Sequence, residues 1–427
     1  ESVKEHMRAE QKLFYEHWRG RNPWVNEEMK EIKGFLKDAM RRTQRYRDLM
    51  SAYNNDEFKV WEELRRPIKM TVFTWVGDKD TTLSPMDSLN YYKRILNCGM
   101  MAMDPMNGHV KAWIGGINYK YFKFDHISQS KRQPGSTFKP FVYGAAIENE
   151  IVTPCDELVD EPVTFGEEDG LSGGTWTPQN SDGKYSYQNM KMRRAMGLSI
   201  NSISAKLMKQ LGPDKIAEFA HKCGIESPLH EVPSLCLGAS EVSLFEQVSG
   251  YSTLANGGEK IDPILVLRIT DKVGNVLREY SPPVKAAIKP ETAYLMTYML
   301  QGAVQEPGGT AEGLKRTSIV AGNEIGAKTG TTSNYSDGWF MGVTQKLVAG
   351  VWVGGDDRSI HFRSLALGQG AKMAMPAYAK FMEKVYADQT LAIEGYRKMP
   401  FIKPENFAFD FSCNGRVAVD STATIAP

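Results

Sequence analysis

Three short motifs in this chain supply side chains that together could carry out acyl transfer. They are, in order, Ser136-Thr-Phe-Lys139, Ser199-Ile-Asn201 and Lys328-Thr329-Gly330. A serine that forms a covalent intermediate needs a neighbouring base, a group that returns the proton and a cation that holds an anionic substrate. The first two patterns recur elsewhere, at Ser128–Lys131, Ser181–Lys184, Ser88–Asn90 and Ser412–Asn414. The prediction therefore depends on the order, spacing and flanks of the three motifs.

The first motif offers a nucleophile and its base. Pro134-Gly135 indicates a turn, and the pattern predicts a helix over 137–148. Residues three apart share one face of a helix, so Lys139 can reach Ser136. Lysine accepts a proton only as the neutral amine, and burial, the positive end of a helix or a second cation would each lower its pKa. Alone, the motif would more readily describe a helix-capping serine beside a surface lysine.

The second and third motifs offer a proton relay and an anion site. The hydroxyl of Ser199 can pass a proton to a leaving nitrogen, and the amide of Asn201 can hold both the lysine and a substrate carbonyl. Lys328 is predicted on an exposed edge strand, where an extended peptide can pair and where Gly330 lets substrate approach the backbone. The backbone N–H groups of Ser136 and Thr331 could form an oxyanion hole. A polar loop and a solubilising lysine are the structural alternatives.

Length and composition describe an ordinary folded protein. The chain has 427 residues, 41% of them hydrophobic, and a formal net charge of +1. This balance gives no reason to expect nucleic acid as a partner. No apolar run is long enough for a membrane span, and no signal peptide is present. Because the first residue is Glu1, we expect a processed or excised piece of a longer protein.

Cysteine and histidine patterns favour no metal or cofactor. The five cysteines are scattered, without a Cys-x-x-Cys pair, at Cys98, Cys155, Cys223, Cys236 and Cys413. An odd number excludes complete internal pairing. One or two disulfides remain open, and buried free thiols are the favoured interpretation. The seven histidines show no metal-binding spacing.

The order of predicted elements indicates an α+β fold. Strands are expected over 71–76 and on either side of the Asn107-Gly108 turn, helices over most of 138–250, and three strands over 326–353. This order suggests helices packed around an antiparallel sheet. Residues 1–66 are charged and helical in pattern, with Met29, Ile32, Leu36 and Met40 on one face. We divide the chain into 1–66, a main domain over 67–400 and a loose tail over 401–427.

The flanks of the motifs resemble a known family. The segments that carry the resemblance are Arg132-Gln-Pro-Gly-Ser-Thr-Phe-Lys-Pro-Phe-Val-Tyr-Gly-Ala-Ala146, Trp176-Thr-Pro-Gln-Asn180, Ser199-Ile-Asn201, Lys328-Thr-Gly-Thr-Thr332, Asp337-Gly-Trp-Phe340 and Val348-Ala-Gly-Val-Trp-Val-Gly-Gly-Asp356. Together they resemble the transpeptidase domain of class A penicillin-binding proteins, over roughly residues 70–390. The resemblance implies a β-lactamase/transpeptidase-like fold, with the active site between an antiparallel sheet and a helical subdomain.

The same resemblance implies a role for each motif residue. Ser136 would attack the D-Ala–D-Ala bond of a peptidoglycan stem peptide, with Lys139 as general base. Ser199 would relay the proton to the departing D-Ala, and Asn201 would position the lysine and the substrate amide. The residues that would hold the terminal carboxylate are Lys328, Thr329, Gly330 and Thr331. β-Lactams, which mimic D-Ala–D-Ala, would acylate Ser136.

Class A members also carry an N-terminal glycosyltransferase domain and a membrane anchor. Residues 1–66 lack the acidic motifs of such a domain. The resemblance thus implies the C-terminal part of a longer bifunctional protein. That protein would work at the outer face of the cytoplasmic membrane, in the periplasm.

Three other functions use similar motifs. A class A serine β-lactamase would need a glutamate that activates water, and no Glu-x-x-x-Asn follows Ser199-Ile-Asn201. A β-lactam sensor would be acylated only as a signal. A D,D-carboxypeptidase would use water as the acceptor, and only the motif flanks separate it from a transpeptidase.

Overall fold

The computed structural model describes residues 1–332, 334–405 and 407–413. The helices are α1 (Ser2–His17), α2 (Phe35–Arg41), α3 (Gln44–Ala52), α4 (Glu57–Arg65), α5 (Pro85–Lys93), α6 (Lys139–Glu148), α7 (Met192–Leu198), α8 (Asn201–Leu211), α9 (Pro213–Cys223), α10 (Leu244–Ala255), α11 (Pro290–Gln305), α12 (Leu365–Gly368), α13 (Gly370–Met373), α14 (Met375–Ala387) and α15 (Gln389–Ile393). Short 3-10 helices lie at Gly135–Phe138, Glu167–Asp169, Pro233–Leu237 and Glu312–Arg316.

The strands are β1 (Ile68–Thr74), β2 (Gly77–Leu83), β3 (Asn97–Met103), β4 (Val110–Ile114), β5 (Glu157–Val159), β6 (Asn189–Lys191), β7 (Glu259–Ile261), β8 (Arg268–Thr270), β9 (Val276–Glu279), β10 (Val284–Ala286), β11 (Gly326–Thr331), β12 (Asp337–Val343) and β13 (Val348–Gly354). Within the described ranges, none of the helices has the length and apolar character that a bilayer crossing requires.

A five-stranded antiparallel sheet forms the centre of the protein, in the order β11-β12-β13-β3-β4. Strands β3, β12 and β13 are buried along their whole length, because helices cover both faces of the sheet. Trp339 and Met341 pack into the cluster on one face, whereas Phe340 packs into the cluster on the other. The predicted α+β fold with an antiparallel sheet is confirmed.

The first face of the sheet packs against the helical subdomain, in which α6 is the most enclosed element. Every residue of α6 from Lys139 to Ile147 is buried. Helices α8, α9 and α11 surround it, and α10 contacts it through the ring pair Phe141–Tyr251. Apolar side chains cover all sides of this helix, as expected for one buried in a core. The lysine of the first motif is therefore the first residue of the central helix.

The second face of the sheet is covered by α1 and α14. Helix α1 buries Val3, Met7 and Phe14 at helical spacing. Gln11 Nε2 in this helix donates to Arg94 O at 2.8 Å, and Trp18 Nε1, in the residue after the helix, donates to His361 O at 2.9 Å. The N-terminal residues thus contribute directly to the hydrophobic core that supports the sheet.

The predicted helix through Met29 and Ile32 is wrong in its first half. Helix α2 begins at Phe35, after Gly34 in a left-handed conformation with φ +80°. Met29 lies instead in a turn with φ +60°, and Val25 forms a β-bridge with Glu31. Met29 and Ile32 lie in a compact turn and pack against the hydrophobic cluster that includes Phe14 of α1. A turn can therefore satisfy the same apolar spacing as a helix, and periodicity alone does not define where α2 begins.

The C-terminal residues and the cysteines make contacts that the sequence did not reveal. Phe401 is buried, and Phe407, Phe409 and Phe411 pack against the helical subdomain; residues 414–427 of the predicted tail lie outside the described part. Cys155 forms a disulfide with Cys413 across 258 residues of sequence. The favoured interpretation of five free thiols is wrong for this pair and confirmed for the buried Cys98, Cys223 and Cys236. Spacing could not reveal the pair, because tertiary folding brings the two residues together.

We expect a non-reducing peptide map to contain one linked pair, Cys155 with Cys413. The other three cysteines should alkylate only after denaturation, because they are buried and burial raises the pKa of the Cys236 thiol to about 12. As a control, the Cys413→Ser variant should lose the linked pair, and its Cys155 should then be alkylated as a free thiol. A linkage that includes Cys98, Cys223 or Cys236 would contradict this assignment.

Candidate active site

Ser136 lies on a tight turn that joins the sheet side of the protein to α6. It is the second residue of the 3-10 helix Gly135–Phe138, which runs directly into α6. Trp339 Nε1 of β12 donates to Gln133 O at 2.9 Å, and Tyr251 Oη of α10 donates to Thr137 O at 2.7 Å. The turn that carries the serine is therefore bonded to the sheet and to the helical subdomain.

Lys139 is completely buried one turn after Ser136. Its Nζ donates to Asn201 Oδ1 at 2.6 Å, to Ser199 O at 2.7 Å and to Ser199 Oγ at 3.3 Å. Burial lowers the pKa of Lys139 to about 7, a shift that the nearby Cys236 thiol opposes. A large fraction of the amine is neutral near pH 7, so it can accept a proton.

Ser199 joins the two lysines of the site. Its Oγ accepts hydrogen bonds from Lys139 Nζ at 3.3 Å and from Lys328 Nζ at 2.8 Å. The residue ends α7 in a left-handed conformation, with φ 60° and ψ 42°. A non-glycine residue in this region is strained by roughly 1–3 kcal/mol, and such strain is frequent at functional sites. The strained turn directs the hydroxyl between the two amines.

Lys328 is fully buried, so the predicted exposed position of this lysine is wrong. Strand β11 is at the edge of the sheet as expected, but the Lys328 side chain turns inward to Ser199. Its Nζ also donates to Thr329 O at 2.9 Å. Burial, and secondarily the charge of Lys139, hold the pKa of Lys328 well below its ordinary value.

Ser136, Ser199, Asn201, Thr329 and Thr331 line one cleft of about 300 Å³. Among the described residues, the Ser136 hydroxyl has no hydrogen-bond partner. The structure thus brings the predicted residues to one place, with Lys139 and Lys328 directly behind the cleft wall. It does not pair the nucleophile with its base in this state.

Gly330 is required by close packing of β11 on the nucleophile turn. A Cβ added at this position would lie 2.4 Å from Pro134 O, closer than real Cβ contacts. The sequence predicts that Gly330 lets substrate approach the backbone, and the contact with Pro134 is a second reason why glycine is needed at this position. Strand β11 and the turn that carries Ser136 are therefore in backbone contact.

Sequence reasoning assigned no chemical role to the segment Trp176–Asn180. In the structure, Asn201 Nδ2 donates to Gln179 O at 2.7 Å, and Gln179 lines the cleft. The resemblance of this segment to the family was the available signal, but its contact partner was not readable from the sequence. Across the described residues, no group of three His, Cys, Asp or Glu side chains is arranged to hold a metal ion.

We expect Gly135→Ala to lower the free energy of unfolding by about 2–4 kcal/mol. Gly135 has φ +54°, and a Cβ there would lie 2.8 Å from Thr331 O. Thermal or denaturant unfolding measures the loss. Gly274→Ala is the matched control, because Gly274 has φ +93° but no atom within 4 Å of a Cβ. Equal destabilisation in both variants would show that contact with β11 does not constrain the nucleophile turn.

Comparison with known proteins agrees with this geometry. Residues 98–356 match the family described as penicillin binding protein transpeptidase domain, and residues 19–96 match the penicillin-binding protein middle domain. The chain is 34% identical over 290 residues to penicillin-binding protein 2D of Bacillus subtilis (strain 168). The aligned region covers 67% of this chain and 41% of that protein. It therefore spans about two fifths of the length of this curated relative.

Solved structures show the same fold. The crystal structure of penicillin-binding protein 1A from Haemophilus influenzae aligns with a TM-score of 0.66 and 22% identity, covering 91% of this chain and 65% of that chain. PonA1 from Mycobacterium tuberculosis in complex with penicillin V aligns with a TM-score of 0.59 and 23% identity, covering 87% and 96%. From the family match, the relatives and the shared fold, we conclude that the chain belongs to the penicillin-binding protein transpeptidases and contains the transpeptidase domain of a class A member.

Proposed function

We propose that this chain is a serine D,D-transpeptidase that cross-links peptidoglycan through an acyl-enzyme on Ser136. The observation that carries the proposal is the Ser199 hydroxyl held between two buried lysines beside the Ser136 cleft. A serine that cleaves an amide without the help of a histidine needs another base with a pKa near 7 and a hydroxyl that relays the proton. The family membership supports the same reaction class.

In the proposed acylation step, neutral Lys139 accepts the proton of the Ser136 hydroxyl. The Ser136 Oγ attacks the carbonyl carbon of the penultimate D-Ala, and the N–H groups of Ser136 and Thr331 stabilise the oxyanion. Ser199 then gives its proton to the departing nitrogen and receives one from Lys139. The C–N bond breaks, D-Ala leaves and an ester remains on Ser136.

In the second step, an amine from a neighbouring stem peptide attacks the ester. Its proton returns through Ser199 and Lys139 to Ser136 Oγ, and a new amide bond forms as the ester bond breaks. Lys328, Thr329 and Thr331 hold the terminal carboxylate of the donor during acylation, since the two threonines line the cleft and the Lys328 amine lies directly behind its wall. Water in place of the amine would give carboxypeptidation.

We extend the proposal to the whole protein, of which this chain spans only a part of the related length. The parent protein would be membrane-anchored, bifunctional and equipped with an N-terminal glycosyltransferase domain. It would work in the cell envelope, on the outer face of the cytoplasmic membrane. PonA1, which shares the fold of this chain, was solved in complex with penicillin V, and this supports β-lactams as ligands of the chain.

We expect intact-protein mass spectrometry with penicillin V to give one covalent adduct, lost in Ser136→Ala. The adduct retains the whole mass of the drug, because the strained amide opens without a leaving group. Ser128→Ala is the matched control: Ser128 belongs to another Ser-x-x-Lys pattern, but its hydroxyl donates to Asp125 rather than to a lysine. Labelling that survives Ser136→Ala would disprove the assignment of the nucleophile.

A second assay separates the competing functions. With a synthetic stem peptide ending in D-Ala–D-Ala and an amine acceptor, a transpeptidase yields a cross-linked product. Release of D-Ala with water alone as acceptor would indicate a carboxypeptidase. An adduct without any peptide turnover would indicate a sensor, and many turnovers of a chromogenic β-lactam per protein would indicate a β-lactamase.

We expect the rate constant of acylation to rise with pH and to level off above pH 7. The pKa of Lys139 is lowered to about 7, so the neutral amine is the minor form below that pH and the major form above it. Below the pKa the rate should rise about tenfold per pH unit. Stopped-flow labelling with a fluorescent penicillin measures this profile, and Lys139→Ala should abolish the reaction. A flat profile from pH 5 to 9 would contradict the base assignment.

A further inference from the structure

The helix that carries Asn201 begins without a cap of its own. Helix α8 starts at Asn201, and the preceding residue, Ile200, has no side-chain oxygen for the first N–H groups. A residue 21 positions earlier takes this role: Asn180 Oδ1 accepts from Asn201 N at 2.9 Å and from Ser202 N at 3.2 Å. The start of α8 is therefore fixed by a distant loop.

Asn180 is in turn oriented by a buried carboxylate. Its Nδ2 donates to Asp160 Oδ1 at 2.8 Å and to Lys184 O at 2.8 Å, which directs the amide oxygen towards α8. Asp160, only 2% exposed, also accepts from Ser202 Oγ at 2.5 Å and from Ser186 N at 2.8 Å. The carboxylate thus fixes both Asn180 and the second residue of the helix.

The same loop fixes the Asn201 side chain. Asn201 Nδ2 donates to Gln179 O at 2.7 Å, which leaves Oδ1 to accept from Lys139 Nζ at 2.6 Å. Backbone and side chain of Asn201 are thus both held by residues 179–180. A continuous series of hydrogen bonds runs from Asp160 through Asn180 and Asn201 to the amine of Lys139.

We propose that Asp160 and Asn180 are positioning residues for the acylation of Ser136. They fix the start of α8 so that Asn201 holds the Lys139 amine at the distance and angle that proton transfer from Ser136 requires. Neither residue contacts the substrate in this proposal. It rests on the proposed function, because it assumes that Lys139 is the base.

The test is the acylation of purified Asn180→Ala by fluorescent penicillin. We expect the first-order acylation rate constant to fall about 30- to 100-fold, with the apparent binding constant changed less than threefold, since a misplaced base slows chemistry more than binding. The rising limb of the pH profile should also move to lower pH. A Lys139 ammonium that loses the Asn201 acceptor is less stabilised, so its pKa falls.

Paired variants distinguish positioning from loss of folding. Asn180→Asp keeps the oxygen that caps α8 but faces Asp160 with a second carboxylate, so we expect it to be impaired. Combining it with Asp160→Asn restores a donor and an acceptor between the two positions, and we expect part of the acylation rate to return. A merely structural contribution would move neither the pH profile nor the rate in this reciprocal way.

Glu246→Gln is the matched control. Glu246 is also a buried carboxylate at a helix start, where it accepts from Ser243 and Ser227 in the capping box of α10. We expect this variant to lower the melting temperature as much as Asp160→Asn, with the acylation rate and pH profile of the wild type.

The outcomes separate this proposal from the proposed function. If Asn180→Ala folds and acylates with wild-type rate and pH profile, while Ser136→Ala loses the label, the positioning role is wrong and the proposed function stands. If Glu246→Gln slows acylation as much as Asn180→Ala, the effect is general destabilisation and the positioning role is again wrong. A wild-type protein that takes no label would overturn the proposed function itself.

Discussion

The burial of two lysine side chains around the hydroxyl of Ser199 is the constraint on which the rest of the structure depends. Moving an ammonium group out of water costs several kcal/mol unless other groups replace its hydration. Here the partners of Lys139 and Lys328 are hydroxyl, amide and carbonyl oxygens. Burial therefore lowers both pKa values, because these acceptors stabilise an ammonium less than a carboxylate would, and the neutral amine of Lys139 becomes available as a base. The cost of burial and the proposed basicity have the same physical origin.

Such a site has to be assembled from elements that resist rearrangement. Lys139 begins the most enclosed helix of the subdomain, and Lys328 lies on the edge strand of the central sheet. Contacts across the boundary keep these layers in register, including the Trp339 bond to Gln133 and the approach of Gly330 to Pro134. The layers meet through backbone groups, so small residues are needed at the contact and there is little room for adjustment.

Much of the architecture could be predicted from the sequence because its signals are local. The apolar runs of β12 and β13 indicate strands buried on both faces, and Asn107-Gly108 indicates the turn between β3 and β4. The start of α2 could not be predicted, since a turn at Met29 satisfies the same apolar spacing as a helix. The disulfide between Cys155 and Cys413 was equally hidden, because their proximity is a property of the folded chain.

The difference between what local sequence patterns reveal and what tertiary packing adds is clearest at the active site. The sequence alone identifies the side chains of the site, their order, and the local turn and helix that carry Ser136 and Lys139. Tertiary packing establishes that Lys328 is buried, that Ser199 connects the two amines, and that Asp160 and Asn180 fix the start of α8. Spacing along the chain encodes contacts within one helix or turn. The pKa of Lys328 depends instead on solvent exclusion and on Lys139, 189 residues away in the sequence, and both exist only after the layers have packed.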